Sequence, residues 1–280
     1  MDKINSTYWF DEFDCFCLKG NDSRRFLNGI NTSNILSNRE DIIRTCWLTP
    51  TGNMRALLEV YNNINESHEL IVLVLIGDIN EIRKYCLDLI FPSDDLEVGD
   101  VFHSYRLQEI DNINKWRKFT PKLLVETNQK SYGLDKLKFL NFDDLQVWKI
   151  NQAIPSFKSE LNGKNNPLEL GLADLIDFNK GCYLGQETMA KLNKASFLKQ
   201  EIRVWSTTIN SKDLNLNDNK IFLDETKQEI TGFITSFNKS KNNIYQGLAM
   251  IRNKYLIKNS FFSEQLGKIN INKSIGSVFL

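Results

Sequence analysis

Lys180-Gly181-Cys182-Tyr183-Leu184-Gly185-Gln186-Glu187-Thr188 stands apart from the rest of the 280-residue chain. Two glycines bracket a Cys-Tyr pair just ahead of a segment, Gln186 to Asn193, with helical character. Glycines at such a place permit a sharp backbone path and close approach by a ligand. The start of a helix presents unpaired N–H groups and a partial positive charge. A thiol beside it, with Lys180 close in sequence, is favoured as the thiolate. Cys182 is therefore the candidate reactive thiol, and Lys180 its candidate activator. From spacing alone, a small buried hydrophobe is the competing reading of Cys182, because that is what unpaired cysteines commonly are. The other cysteines, Cys15, Cys17, Cys46 and Cys86, sit in apolar strand- or helix-like patterns and read as core.

Downstream of about Ala195 the pattern changes. Ile202 to Thr208, Ile221 to Asp224, Ile230 to Phe237 and Ile244 to Ile251 read as strands between polar turns, and no segment there has a convincing helical period. Upstream, Pro167 suits the first position of a helix over Leu168 to Ile176. Gln146 to Ala153 is short and amphipathic and is ended by Pro155. The N-terminal part alternates strands (Phe10 to Leu18, Ile42 to Leu48, Met54 to Tyr61, Glu69 to Ile76) with helices beginning at Asp22 and Asp78. Thr49-Pro50-Thr51-Gly52 is the tight turn of a hairpin. Ile79, Ile82, Tyr85, Cys86 and Leu89 form a core-facing helical stripe, and Asn112 to Thr120 reads as loop or insertion. This is an α+β region over 1–195 followed by an all-β domain over 196–280.

Composition narrows the function. Lys plus Arg and Asp plus Glu are 35 each, so the chain lacks the cation surplus of a sequence-independent nucleic-acid binder. Two histidines, His68 and His103, and no CxxC spacing leave no metal-ligating set, and the odd cysteine count suits a reducing compartment. Met1 to Asn5 carries acid early and lacks the apolar core of a signal peptide. The longest apolar run, Leu70 to Ile76, is far shorter than the about 20 residues that span a bilayer. The expectation is a cytoplasmic protein, a monomer without membrane or direct nucleic-acid contact.

Lys180 to Glu187 resembles the K-G-C-Y-x-G-Q-E signature of the YgfZ family, folate-binding relatives of the T-protein (aminomethyltransferase) of the glycine cleavage system. The resemblance extends to Leu18-Lys19-Gly20-Asn21-Asp22 and Phe26-Leu27-Asn28-Gly29-Ile30-Asn31-Thr32, similar to the early "L-x-G-x-D…F-L-x-G-x-x-T" block. It continues through Leu48 to Gly52, Trp148 to Pro155 (the place of "R-I-E-x-G-x-P"), Asn166 to Glu169, and Thr231 to Ser236 in the C-terminal part. Phe178-Asn179 before the signature and Thr188 after it are similar to cyanobacterial members.

The resemblance implies a T-protein-like cloverleaf: two interleaved α+β lobes closed by a C-terminal β-barrel. It implies a tetrahydrofolate or a derivative as cofactor, with Phe13, Asn31, Thr32, Trp148 and Asn151 as candidate contacts. It also implies a role in iron–sulfur cluster assembly or repair, with client proteins or assembly factors as partners and tRNA modification as an indirect outcome. Cys182 carries the chemistry in that reading, as iron or sulfur ligand, nucleophile or oxidation sensor; Gly181 and Gly185 shape the loop, and Tyr183, Gln186 and Glu187 hold it. Two departures stand out. Lys149, Asn151 and Ala153 replace the Arg, Glu and Gly of the second block, so a bidentate fork and a pterin-holding carboxylate are gone. Asn53 to Leu58 carries no acid before Glu59, which argues against aminomethyl transfer. A folate-dependent methyl or aminomethyl transferase or demethylase, and a non-catalytic folate-binding module, are the alternatives.

Overall fold

β1 (Thr7–Lys19) is the spine of the first part of the chain. Its alternating burial comes from side chains pointing to opposite faces of a pleated strand. In the computed structural model, which describes residues 6–37, 41–62, 68–124, 134–156, 158–195, 198–208, 219–239 and 244–272, the chain forms two compact units. The first comprises Met1–Leu140 and Asp174–Ala190, the second Asn141–Ala173 and Lys191–Leu280. Met1 to Asn5, read above as lacking a signal peptide, lies outside the described residues.

In the first unit α1 (Ser23–Ile30) follows β1, then come β2 (Ile42–Leu48), β3 (Met54–Asn62) and β4 (Glu69–Ile76). α2 (Ile79–Leu89) is capped by Asp78, whose carboxylate accepts from the backbone N–H groups of Asn80 and Glu81. β5 (Glu97–Val98), β6 (Phe102–Ile110), β7 (Lys122–Leu124) and β8 (Lys138–Phe139) complete one sheet in the order β2-β3-β4-β1-β6-β7, with β5 and β8 also pairing β1. One face of this sheet is apolar. Phe16, Leu18, Trp47, Leu58, Val60, Val72 and Val74 bury against Leu27 and Ile30 of α1 and Ile79, Ile82 and Cys86 of α2. The segment read as a loop, Asn112 to Thr120, contains a 3-10 turn that buries Trp116.

The opposite face holds charge. Glu59 of β3, Arg106 and Gln108 of β6 are all fully buried, and Arg44 of β2 is nearly so. Arg106 grips Glu59 through Nε and Nη2 at 2.6 and 2.9 Å, Arg44 Nε adds a third bond at 2.8 Å, and the Tyr61 hydroxyl a fourth at 2.8 Å. Arg106 also lies 4.4 Å from the ring centroid of Trp9. β4 and β1 separate β3 from β6 in strand order, so the sheet curls around this network. Burial pushes the Glu59 carboxyl up, but Arg106, Arg44 and the Tyr61 hydroxyl outweigh it and hold it at about 2.

In the second unit α3 (Phe142–Asn151) precedes a turn-rich stretch. β9 (Gln200–Thr208), β10 (Lys220–Phe222), β11 (Ile230–Lys239), β12 (Ile244–Arg252), β13 (Ser260–Ser263) and β14 (Gly267–Ile271) form a closed barrel in the order β10-β11-β12-β9-β14-β13. Its core includes Trp205, Ile221, Ile234, Ala249, Ile251 and Ile269. The helix expected over Leu168 to Ile176 is replaced by turns and a 3-10 segment at Ala173–Leu175. Asn166 and Glu169 cap each other through side chain and backbone, as at a helix start, but Gly171 adopts φ +68 and stops propagation after one turn.

Candidate functional site

The Lys180–Glu187 loop belongs to the first unit and is fastened at four points. Asp177 opens it: its Oδ1 accepts from the backbone N–H of Asn179 and Lys180 at 2.8 and 3.1 Å, a tight turn made by the side chain itself. Lys180 then sends its buried ammonium across to α1, where Nζ donates to the carbonyls of Asn28, Asn31 and Ser33 at 2.7, 2.6 and 2.8 Å. These are carbonyls at and just beyond the end of a helix, which lack partners within the helix and sit at its negative pole. Leu184 N–H donates to Gly29 O at 3.1 Å. Finally Gly185 presses on the β2–β3 turn: a Cβ there would lie 2.8 Å from Thr49 O, and its φ is +81. That turn contains Gly52, also left-handed at φ +83 and backed by Thr188.

So Lys180 spends its ammonium on backbone carbonyls, a task its place in the sequence did not reveal. Burial lowers it to about 8, with Asp177 pulling the other way. Gly181 is different from Gly185, since a Cβ there would meet open space. Tyr183 is buried under Lys180, whose Nζ is 5.1 Å from its ring centroid. α4 (Gln186–Ala195) starts at Gln186.

Cys182, between these fixed points, is exposed. It lines a cleft of about 590 Å³ with Gly29, Ile30, Pro50, Tyr85, Leu89 and the following loop residues Tyr183 to Glu187. Burial pushes three other thiols, Cys15, Cys46 and Cys86, each up to about 12. Cys17 is half-buried, so Cys182 is the one exposed thiol of the five. Leu89, read as core, is 37% exposed and forms part of the cleft wall. Its place as the last residue of α2 is the signal that was available.

The five candidate folate contacts fall in different places. Phe13, Asn31 and Thr32 lie in the first unit, Trp148 and Asn151 on α3 in the second. Thr32 is committed: its hydroxyl donates to Leu175 O at 2.7 Å and accepts from Cys46 N at 3.0 Å. Asn151 Oδ1 accepts from Gln246 at 3.3 Å, and Trp148 is buried. Phe13 is half-buried and meets Trp9 edge-on. Asn31 is fully buried, yet both its amide nitrogen and its amide oxygen lack hydrogen-bond partners. No carboxylate on β3 is free for base chemistry, because Glu59, its single acid, is enclosed by two arginines. Among the described residues no group of three or more His, Cys, Asp or Glu is placed to hold a metal ion, and no helix is long and apolar enough to cross a membrane.

This architecture is that of the aminomethyltransferase T-protein. The crystal structure of glycine cleavage system aminomethyltransferase T from Bartonella henselae matches it with a TM-score of 0.72, covering 97% of this chain and 86% of that one at 8% identity. In sequence the chain is similar to the tRNA-modifying protein YgfZ of Aliivibrio fischeri, 27% identical over 197 residues, covering 61% of this chain and 62% of that protein. It is also 27% identical over 187 residues to an uncharacterized protein of Haemophilus influenzae, covering 62% of this chain and 64% of that one. The chain thus spans a little under two thirds of the length of these relatives, and no family profile matches it. Its fold is thus that of the T-protein, and its sequence is similar to YgfZ over somewhat under two thirds of the chain.

Proposed function

We propose that this protein binds a folate and supports assembly or repair of iron–sulfur clusters in the cytoplasm through the Cys182 thiol, with tRNA modification affected indirectly through iron–sulfur enzymes. One observation carries the reading: the loop is held by Asp177, Lys180, Leu184 and Gly185, while the thiol in its middle is exposed and lines a cleft. A structural cysteine needs no such frame, whereas a thiol that must meet a second reactant does. The YgfZ relative, named a tRNA-modifying protein, supports the same direction.

For a folate the chain offers Phe13, a half-buried ring able to lie against a flat heterocycle, and Asn31, whose unpaired amide can both donate and accept. A bound tetrahydrofolate would supply a one-carbon carrier; the residues here bind and orient it. The lack of a free acid on β3 speaks against the aminomethyl-transfer alternative.

The test is a deletion rescued by wild type or by Cys182→Ala at equal expression, with an iron–sulfur enzyme assayed under oxidative stress. Rescue by wild type alone supports the reading. Equal rescue makes the thiol dispensable and favours a folate-binding module. Failure of wild type to rescue removes the link to clusters. Titration with tetrahydrofolate, comparing wild type with Phe13→Ala, tests the cofactor separately.

A further inference from the structure

The β1–β6 ribbon has one face that is covered at one end and open at the other. Around Phe16 and Leu18 this face lies beneath α1 and α2. Toward Thr7 the same side of β1 carries Phe10, Glu12 and Asp14, and the antiparallel register sets Leu107, Tyr105 and His103 opposite them. Phe10 stacks on Tyr105 with centroids 5.2 Å apart and planes 13° from parallel, and Phe139 of β8 leans on Phe10 at 5.4 Å. The rings are not sealed: Phe139 is 37% exposed, and Phe10 and Tyr105 are half-buried.

Acid surrounds this stack. Glu12 and Glu109 are exposed, and Asp14 lies 2.8 Å from His103 Nδ1. Glu109 accepts from the Ser6 hydroxyl at 2.5 Å. In register on the same face, the opposing lysine is Lys122, across from Leu107. An open aromatic stack edged by carboxylates excludes some occupants and suits others. A phosphate backbone is repelled by the acids. A purely aliphatic segment would desolvate them without return. A guanidinium fits both features, since its plane lies on an aromatic face while its N–H fork bonds carboxylates.

We infer that this face docks an arginine-bearing segment of a partner protein, with a guanidinium on the Phe10–Tyr105–Phe139 rings and its N–H groups on Glu12 and Glu109. The surface goes beyond the cysteine site and makes no use of it.

The full chain is titrated with labelled hexa-arginine, hexa-lysine and oligo-uridylate. Three variants accompany wild type: Glu12→Lys/Glu109→Lys, Phe139→Ser, and Glu225→Lys on the barrel surface as a charge control. Hexa-arginine is expected to bind wild type and the control alike, and the double variant about tenfold more weakly. Phe139→Ser is expected to erase most of the preference for hexa-arginine over hexa-lysine. The inference is overturned by equal binding of wild type and the double variant, by equal affinity of wild type for the two peptides, by no peptide binding, or by oligo-uridylate competing for the face. Circular dichroism of each variant verifies that all four proteins are folded before affinities are compared.

Discussion

Arg106 and Lys180 are both cations withdrawn from water, 0% and 7% exposed, and they are satisfied in opposite ways. Arg106 is matched by a carboxylate, Glu59, which a second arginine also holds. Lys180 is matched by three neutral carbonyls and, among the described residues, by no carboxylate within bonding distance. The first arrangement ties strands that are distant in the sheet order, so it holds the fold of the unit. The second ties one loop to one helix end, so it holds a position. A buried charge facing a countercharge is costly to break because its partner is left uncompensated, whereas carbonyls left without a donor lose only hydrogen bonds.

The sharpest way to break this comparison is Glu59→Gln. It leaves two buried guanidinium groups facing a neutral amide, and urea unfolding should show a loss of about 3–5 kcal/mol. Adding Arg106→Met should recover part of that loss, as charge is removed in compensation. The same carboxylate sets an acid limit. Held at about 2 against the ordinary 4.5 of a glutamate, it contributes its full stabilisation above pH 4.5, and that contribution is lost as pH falls toward 2. The unfolded chain takes up the proton first in this window, so stability should fall there in wild type and fall less steeply in Glu59→Gln; unfolding midpoints at a series of pH values will show it.

Lys180→Met tests the other half. The expected cost is smaller, about 1–3 kcal/mol for carbonyls left unmatched. Amide exchange should quicken in Lys180–Gly185 and at the end of α1 while β3 and β6 stay protected. Gly185→Ala should cost about 1–2 kcal/mol through its positive φ and the approach of Thr49 O, with the same local exchange signature. Cys182→Ser, an exposed change, should move the unfolding midpoint by less than about 0.5 kcal/mol equivalent, which separates the thiol's chemistry from the loop's anchoring.

Much of this was legible in the chain. β2 and β4 have the bounds their apolar patterns indicate, and Asp78 caps α2 as its residue type demands. The signature loop was found from two glycines, a cysteine and a helix start. Other features were hidden for identifiable reasons. A buried Arg106 or Gln108 alternates along β6 as an exposed polar residue would, so the charged face of the sheet reads as a solvated one. β13 and β14 are 4 and 5 residues long, with Ser, Lys and Asn between their apolar positions, and they become strands through barrel closure. Pro167 promised a helix that Gly171 denies. Lys180 was read by its neighbour in sequence, Cys182, while its partners are distant in the chain.

That distance has a kinetic consequence. The three carbonyls that Lys180 reaches lie 152, 149 and 147 residues earlier. Contacts of such long range pay their loop-closure entropy before they give anything back, and they form late. During synthesis the end of α1 therefore waits, unclasped, until more than half of the chain has emerged. The loop that presents the thiol is then among the last pieces to be seated. An incompletely made or incompletely folded chain lacks the frame that presents Cys182, so the thiol reaches its working position only as the protein itself is finished.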